Sequence, residues 1–108
     1  MIPVMVAGAG KIGRLIACLL ADTHEYTVYL SDCDFKAADT KALLAEIPEI
    51  ETLVLDMQDG KALEQALKKH QIVALISSLP YFLNPPVAAA AKAAGSHYFD
   101  LTSYSRLN

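Results

Sequence analysis

The sequence predicts an α/β domain: a doubly wound, open parallel sheet of about five strands in the order 3-2-1-4-5, with helices on both faces. Three observations predict it. Short apolar runs alternate along the chain with segments of helical period. Those runs are apolar almost throughout, as strands covered on both faces should be. A glycine cluster stands directly between the first run and the first helical segment.

Each element can be read in turn. Val4-Met5-Val6-Ala7 ends at Gly8 and reads as a buried strand. Ile12, Leu15, Ile16, Leu19 and Leu20 then recur with the spacing of an amphipathic helix. Tyr26 to Ser31, rich in β-branched and aromatic residues, is the second strand. A helix carrying Leu43 and Leu44 follows from about Phe35 and is closed by Pro48. Thr52-Leu53-Val54-Leu55 is the third strand, and Asp59 an N-cap for a helix with Leu63, Ala66 and Leu67 on one face. Ile72 to Ile76 is the fourth strand. Asn84-Pro85-Pro86 reads as a cap followed by prolines where no N–H is needed, and Gly95 as the residue that stops that helix. His97 to Leu101 is the fifth strand, which makes residues 1–102 one domain and residues 103–108 a tail or truncation point.

Composition narrows the function. The chain has 108 residues, 54% of them hydrophobic, enough for one compact core and too few for two ordinary domains. Its net charge is −3 and Lys68-Lys69 is the only adjacent basic pair, which argues against nucleic acid or an anionic membrane as partner. No apolar run reaches membrane-spanning length, and the N-terminus lacks the pattern of a signal peptide, so a cytoplasmic location is expected. Cys18 and Cys33 form no metal-ligand pattern and read as reduced thiols.

Gly8-Ala9-Gly10-Lys11-Ile12-Gly13 fits G-x-G-x-x-G in the context that gives the motif its meaning, after a strand and opening a helix. Gly8 allows the tight turn, Gly10 close approach of a pyrophosphate, and Gly13 close helix–sheet packing. Free N–H groups and the helix dipole, around Lys11 and Ile12, favour negative charge there. Asp32, ending the second strand, can accept hydrogen bonds from both hydroxyls of an adenine ribose. It would repel a 2′-phosphate, and Cys33 and Asp34 follow instead of an arginine, so NAD is favoured over NADP, with Lys36 as the nearby cation. The alternative is that Asp32 or Asp34 caps the next helix.

Ligands of open parallel sheets lie beyond the carboxyl ends of the strands. At those ends stand Asp32, Asp56, Ser77 and Ser78, with Asp100 and Thr102 near the last. Met57 could pack on an adenine ring and Asp56 face its amine. Ser77-Ser78-Leu79-Pro80 would line the pyrophosphate and the route to nicotinamide, while Tyr81 and Phe82 either shield a cofactor or pack on the helix. His24, His70 and His97 fall at the opposite edge, and the sequence brings together no catalytic pair or metal set.

These residues resemble the saccharopine dehydrogenase-like oxidoreductases. The resemblance rests on Val4 through Gly13, on Asp56, and most specifically on Ala74-Leu75-Ile76-Ser77-Ser78-Leu79-Pro80-Tyr81 and Gly95-Ser96-His97-Tyr98-Phe99-Asp100-Leu101-Thr102. It implies a Rossmann domain that binds NAD or NADP and precedes a substrate domain, in enzymes acting on a secondary amine that links an amino acid to a keto acid. It also implies that the glycines, Asp32, Asp56 and the Ser77–Pro80 loop contact the cofactor. Because the substrate domain is missing from these residues, the expectation is a chain that binds cofactor without turnover, with the C-terminal substrate domain as partner and a homodimer compatible with the sequence. Two other readings stay open: a regulatory NAD-binding module of the kind that gates potassium transport, and a redox sensor.

Overall fold

The computed structural model describes residues 1–101. Strands β1 (Ile2–Ala7), β2 (Tyr26–Asp32), β3 (Glu51–Val54), β4 (Ala74–Ser77) and β5 (His97–Asp100) form one sheet in the order β3-β2-β1-β4-β5. Every neighbouring pair is parallel. The connecting helices are α1 (Lys11–Asp22), α2 (Ala38–Glu46), α3 (Gly60–Lys69) and α4 (Asn84–Ala94), the last entered through a single 3-10 turn, Tyr81–Leu83. The strand order and the doubly wound topology are those expected. The tail expected at 103–108, and Thr102 before it, lie outside the described residues.

Alternation along the strands sorts the core into two layers. Val4, Val6, Val28 and Leu30 point to one face and pack with Ala17 and Ala21 of α1. Met5, Ala7 and Leu75 point to the other and pack with Leu63 and Leu67 of α3 and Val87, Ala90 and Ala91 of α4. Register carries the pattern across the sheet, since Val6 lies beside Ile76 and Ile76 beside Phe99.

Local departures from expectation have identifiable causes. In α1 the residues that bury are Gly13, Ala17 and Ala21, while Ile12, Leu15 and Leu19 are 50%, 54% and 61% exposed. Large side chains mark the stripe in sequence, but close approach of the helix to the sheet selects the small ones. The second helix starts at Ala38 rather than near Phe35, because Asp34 Oδ1 accepts from the Lys36 N–H at 3.1 Å and makes a turn there. Asp34 therefore shapes the loop instead of capping the helix. Asn84 is the first residue of α4 and not its cap, because its Oδ1 is occupied by the buried Ser77 hydroxyl at 2.8 Å. Pro85 and Pro86 still fall within the first turn, where N–H groups have no helical acceptor.

Other boundaries hold as read. Asp59 caps α3, its carboxylate accepting from the Ala62 N–H at 3.1 Å. Gly95 ends α4 in the left-handed conformation at φ 80°, and the Ser96 N–H reaches back to the Ala91 carbonyl at 2.9 Å. Among the described residues, no helix is long and apolar enough to cross a membrane.

Candidate dinucleotide site

The glycine loop is held by the strands on both sides of β1. The Gly8 N–H donates to the Ser31 carbonyl at 2.8 Å, and the Ser78 N–H to the Ala7 carbonyl at 2.9 Å. The Ser78 hydroxyl lies 3.1 Å from the carbonyl oxygens of both Ala7 and Gly8. Two of the three glycines are demanded by this packing. Gly8 has φ +102°, and a Cβ on Gly13 would lie 1.8 Å from the Gly8 oxygen. Gly10 is different. It is exposed, and a Cβ there would meet nothing within 4 Å.

Gly10 is also the N-cap of α1, with extended backbone, no side chain capping the helix and no acid in the first turn. The N–H groups at the start of α1, around Lys11 and Ile12, thus open onto the space that Gly10 leaves clear. Donors without helical acceptors, a positive dipole end and absent competing carboxylates suit a phosphate. The residues present fit a dinucleotide pyrophosphate.

Asp32 ends β2 beside this loop. Its Oδ2 accepts from the Ala9 N–H and its Oδ1 from the Cys33 N–H, each at 2.6 Å. Burial pushes its carboxyl up, but the N–H groups of Ala9, Cys33 and Asp34 and the Cys33 thiol outweigh that and hold it below the ordinary aspartate value. The carboxylate is therefore charged, half-buried and bound to the loop it would serve with. The short bonds from the Ala9 and Cys33 N–H groups take two of its four acceptor directions, and a ribose hydroxyl would share the others with the Asp34 N–H and the Cys33 thiol. Asp32 takes no part in capping α2, whose N-cap is Ala37.

Arg14 adds a support that the sequence alone did not single out. Its guanidinium donates to the Ala9 carbonyl at 3.1 Å and lies 3.4 Å from the buried Thr40 hydroxyl. It ties the glycine loop to α2. The only signal for it in sequence is its position one turn into α1.

The remaining expected residues fall on the same edge with different freedom. Asp56 is exposed, and its carboxylate accepts from the Gln58 N–H at 2.9 Å. Met57 is only 6% exposed and packs in the core with Leu63 and Leu67, so its side chain is not presented to an adenine. Ser77 is buried against Asn84, whereas Ser78 and Leu79 are partly exposed and Pro80 exposed. Tyr81 and Phe82 pack edge to face on each other, 5.9 Å between centroids, and are otherwise open to solvent.

No activated nucleophile emerges among the described residues. The hydrogen bond and charge of Asp32 push the Cys33 thiol up, and burial does the same to Cys18. His24 sits in the turn before β2, His70 caps the end of α3 with its ring 4.7 Å from that of Tyr29, and His97 begins β5. All three are at the amino edge of the sheet. No group of three acidic, histidine or cysteine residues is placed to hold a metal among the described residues.

The sequence model of one family, described as the saccharopine dehydrogenase NADP binding domain, matches residues 4–108. The chain belongs to this family. No curated protein matches it. Among solved structures, the family domain is similar to saccharopine dehydrogenase (L-Glu forming) from Saccharomyces cerevisiae, with 22% identity and TM-score 0.81 over 97% of this chain and 22% of that one. It is also similar to a UDP-glucose-4-epimerase from Stenotrophomonas maltophila with bound NAD, at 16% identity and TM-score 0.79 over 97% of this chain and 38% of that one. A leucoanthocyanidin reductase from Vitis vinifera in complex with NADPH gives 23% identity and TM-score 0.76 over 89% of this chain and 34% of that one. At these identities the likeness shows the fold. The chain spans between about a fifth and two-fifths of the length of these solved enzymes.

Proposed function

We propose that this chain is the dinucleotide-holding part of an NAD(P)-dependent oxidoreductase acting on an amino-acid-derived secondary amine, and that alone it binds cofactor without turnover. The observation that carries the cofactor reading is Gly10. Packing within the protein asks for glycine at positions 8 and 13 and leaves position 10 facing open space at an uncapped helix N-terminus. The amine substrate is what the resemblance to the saccharopine dehydrogenase-like oxidoreductases implies, and the family description and one similar solved enzyme carry that name.

In this reading the N–H groups of Lys11, Ile12 and Gly13 receive the pyrophosphate and Asp32 receives the adenine ribose. Asp56 lies toward the adenine, and Ser78, Leu79 and Pro80 line the way to the nicotinamide, which supplies hydride chemistry when bound. Ser77 supports that loop from beneath, its oxygen accepting from the Leu79 N–H at 3.3 Å. Cys33 contributes its backbone, which orients the Asp32 carboxylate. A charged Asp32 disfavours a 2′-phosphate, so NAD is the preferred cofactor of this chain. The family description names NADP, and the choice is to be measured with both.

Thermal unfolding with and without each dinucleotide tests the proposal, since a ligand of the native state raises the midpoint. Both should raise it, NAD more than NADP. Asp32→Ala should weaken NAD and narrow the difference. An unchanged midpoint with either dinucleotide at about 1 mM overturns the reading.

A further inference from the structure

The outward face of α1 is unlike that of an ordinary surface helix. Its exposed positions are Lys11, Ile12, Leu15, Leu19 and Asp22. This is one continuous stripe at helical spacing. The middle of the stripe is apolar, with three side chains each at least half exposed. Charge is confined to its two ends, a cation first and an anion last. A helix facing only water carries charged and polar residues across that face. The two charges are moreover placed against the helix dipole, Lys11 at its positive end and Asp22 at its negative end.

A second helix of the same sequence, running antiparallel, answers each of these features. With the twofold axis crossing the outward face midway between Leu15 and Leu19, Leu15 of one copy lies against Leu19 of the other, twice. Lys11 then comes opposite the C-terminal end that carries Asp22, again twice, and each unfavourable charge–dipole pairing gains a charge of opposite sign. Such a contact is isologous and closes at two copies. Neither an extended peptide nor an acidic or basic partner explains apolar residues flanked by one charge of each sign in this order.

We infer that α1 is a self-association surface through which two copies of this chain pair with their α1 helices antiparallel, Leu15 against Leu19 and Lys11 across from Asp22. The pairing does not depend on the cofactor, and the catalytic identity of any larger protein does not enter it.

Light scattering coupled to size-exclusion chromatography, over about a hundredfold range of concentration, reads the result directly. The expected species at high concentration has twice the chain mass of 11.7 kDa. Leu15→Glu with Leu19→Glu should give a monomer with unchanged circular dichroism, because both side chains are exposed. Lys11→Asp should weaken pairing by about tenfold or more by setting two acids opposite each other. Lys11→Asp combined with Asp22→Lys should restore it, which only an antiparallel contact between these two ends allows. A wild-type chain that stays monomeric, association that grows beyond two copies, persistence of the dimer in the double glutamate variant, or failure of the charge exchange to restore it each overturns the inference.

Discussion

The two edges of the sheet handle polar groups in different ways. At the carboxyl edge, Ser31, Thr40, Ser77 and Asn84 are buried, and bonds run between elements far apart in sequence: Ala9 to Asp32, Ser78 to Ala7 and Gly8, Ser77 to Asn84. At the amino edge the turns close locally. His24 and Gln71 take left-handed conformations at φ 58° and 55°, and α3 ends on His70 through its own backbone. Ser96, bonded to the Ile72 carbonyl at 2.7 Å, is the buried polar residue there. One edge is a shared network that holds a loop in a fixed shape. The other is a set of local chain reversals, with the Ser96–Ile72 bond as a tie between distant segments. Substitutions should therefore act together at the first edge and independently at the second.

The largest effect that would break this contrast is at Gly13. Gly13→Ala drives a methyl into the Gly8 carbonyl, and should destabilise the domain by about 3 kcal/mol in chemical denaturation. Gly10→Ala should move stability by no more than about 0.5 kcal/mol yet weaken dinucleotide binding, because its methyl points into open space. If the two variants lose stability equally, the glycines are all structural. Ser77→Ala comes next: it removes the buried hydroxyl that donates to Asn84 and should cost about 1–3 kcal/mol by the same measurement.

Asp32 gives a smaller, pH-dependent term. Its carboxyl is held below the ordinary value in the folded chain, so it contributes stability at pH above the unfolded pKa of about 3.9 and loses it as pH falls through the folded value. Asp32→Asn should remove that part of the acid limb and leave the limb above about pH 5 nearly parallel to wild type. At the amino edge, His24→Gly relieves a left-handed histidine at the expense of chain entropy and should stabilise by about 0.5 kcal/mol. Calorimetry should show its dinucleotide affinity unchanged; a loss there would mean that the edges are coupled.

Much of the fold was legible because period and punctuation are local properties. Gly95 announced the end of α4 and Asp59 the start of α3. Alternation of strands with helices implied parallel pairing and, with it, the strand order. What stayed hidden depends on contacts across long stretches of sequence. Nothing near Met57 says that it turns inward to the core that α3 and α4 cover, and nothing near Asn84 says that Ser77 takes its side chain. The apolar spacing in α1 identified the helix, and Ile16 and Leu20 of its stripe do pack on the core, but Ile12, Leu15 and Leu19 face out because burial follows the closest approach to β1 and β2 and selects Gly13, Ala17 and Ala21. The candidate site was legible as an edge and a glycine pattern. Its internal ties, Asp32 to Ala9 and Ser78 to Gly8, were not.

The central position of β1 has a consequence for synthesis on the ribosome. Its partner β2 follows after one helix, but its other edge must wait for Ala74–Ser77, which pair with Val4–Ala7. Until β4 is made, β1 therefore exposes an unpaired, apolar edge to other chains. The glycine loop acquires its last restraint only when Ser78 emerges beside Ala7 and Gly8. A nascent chain that stalls before that point carries the dinucleotide motif in its sequence while lacking the clamp that shapes it.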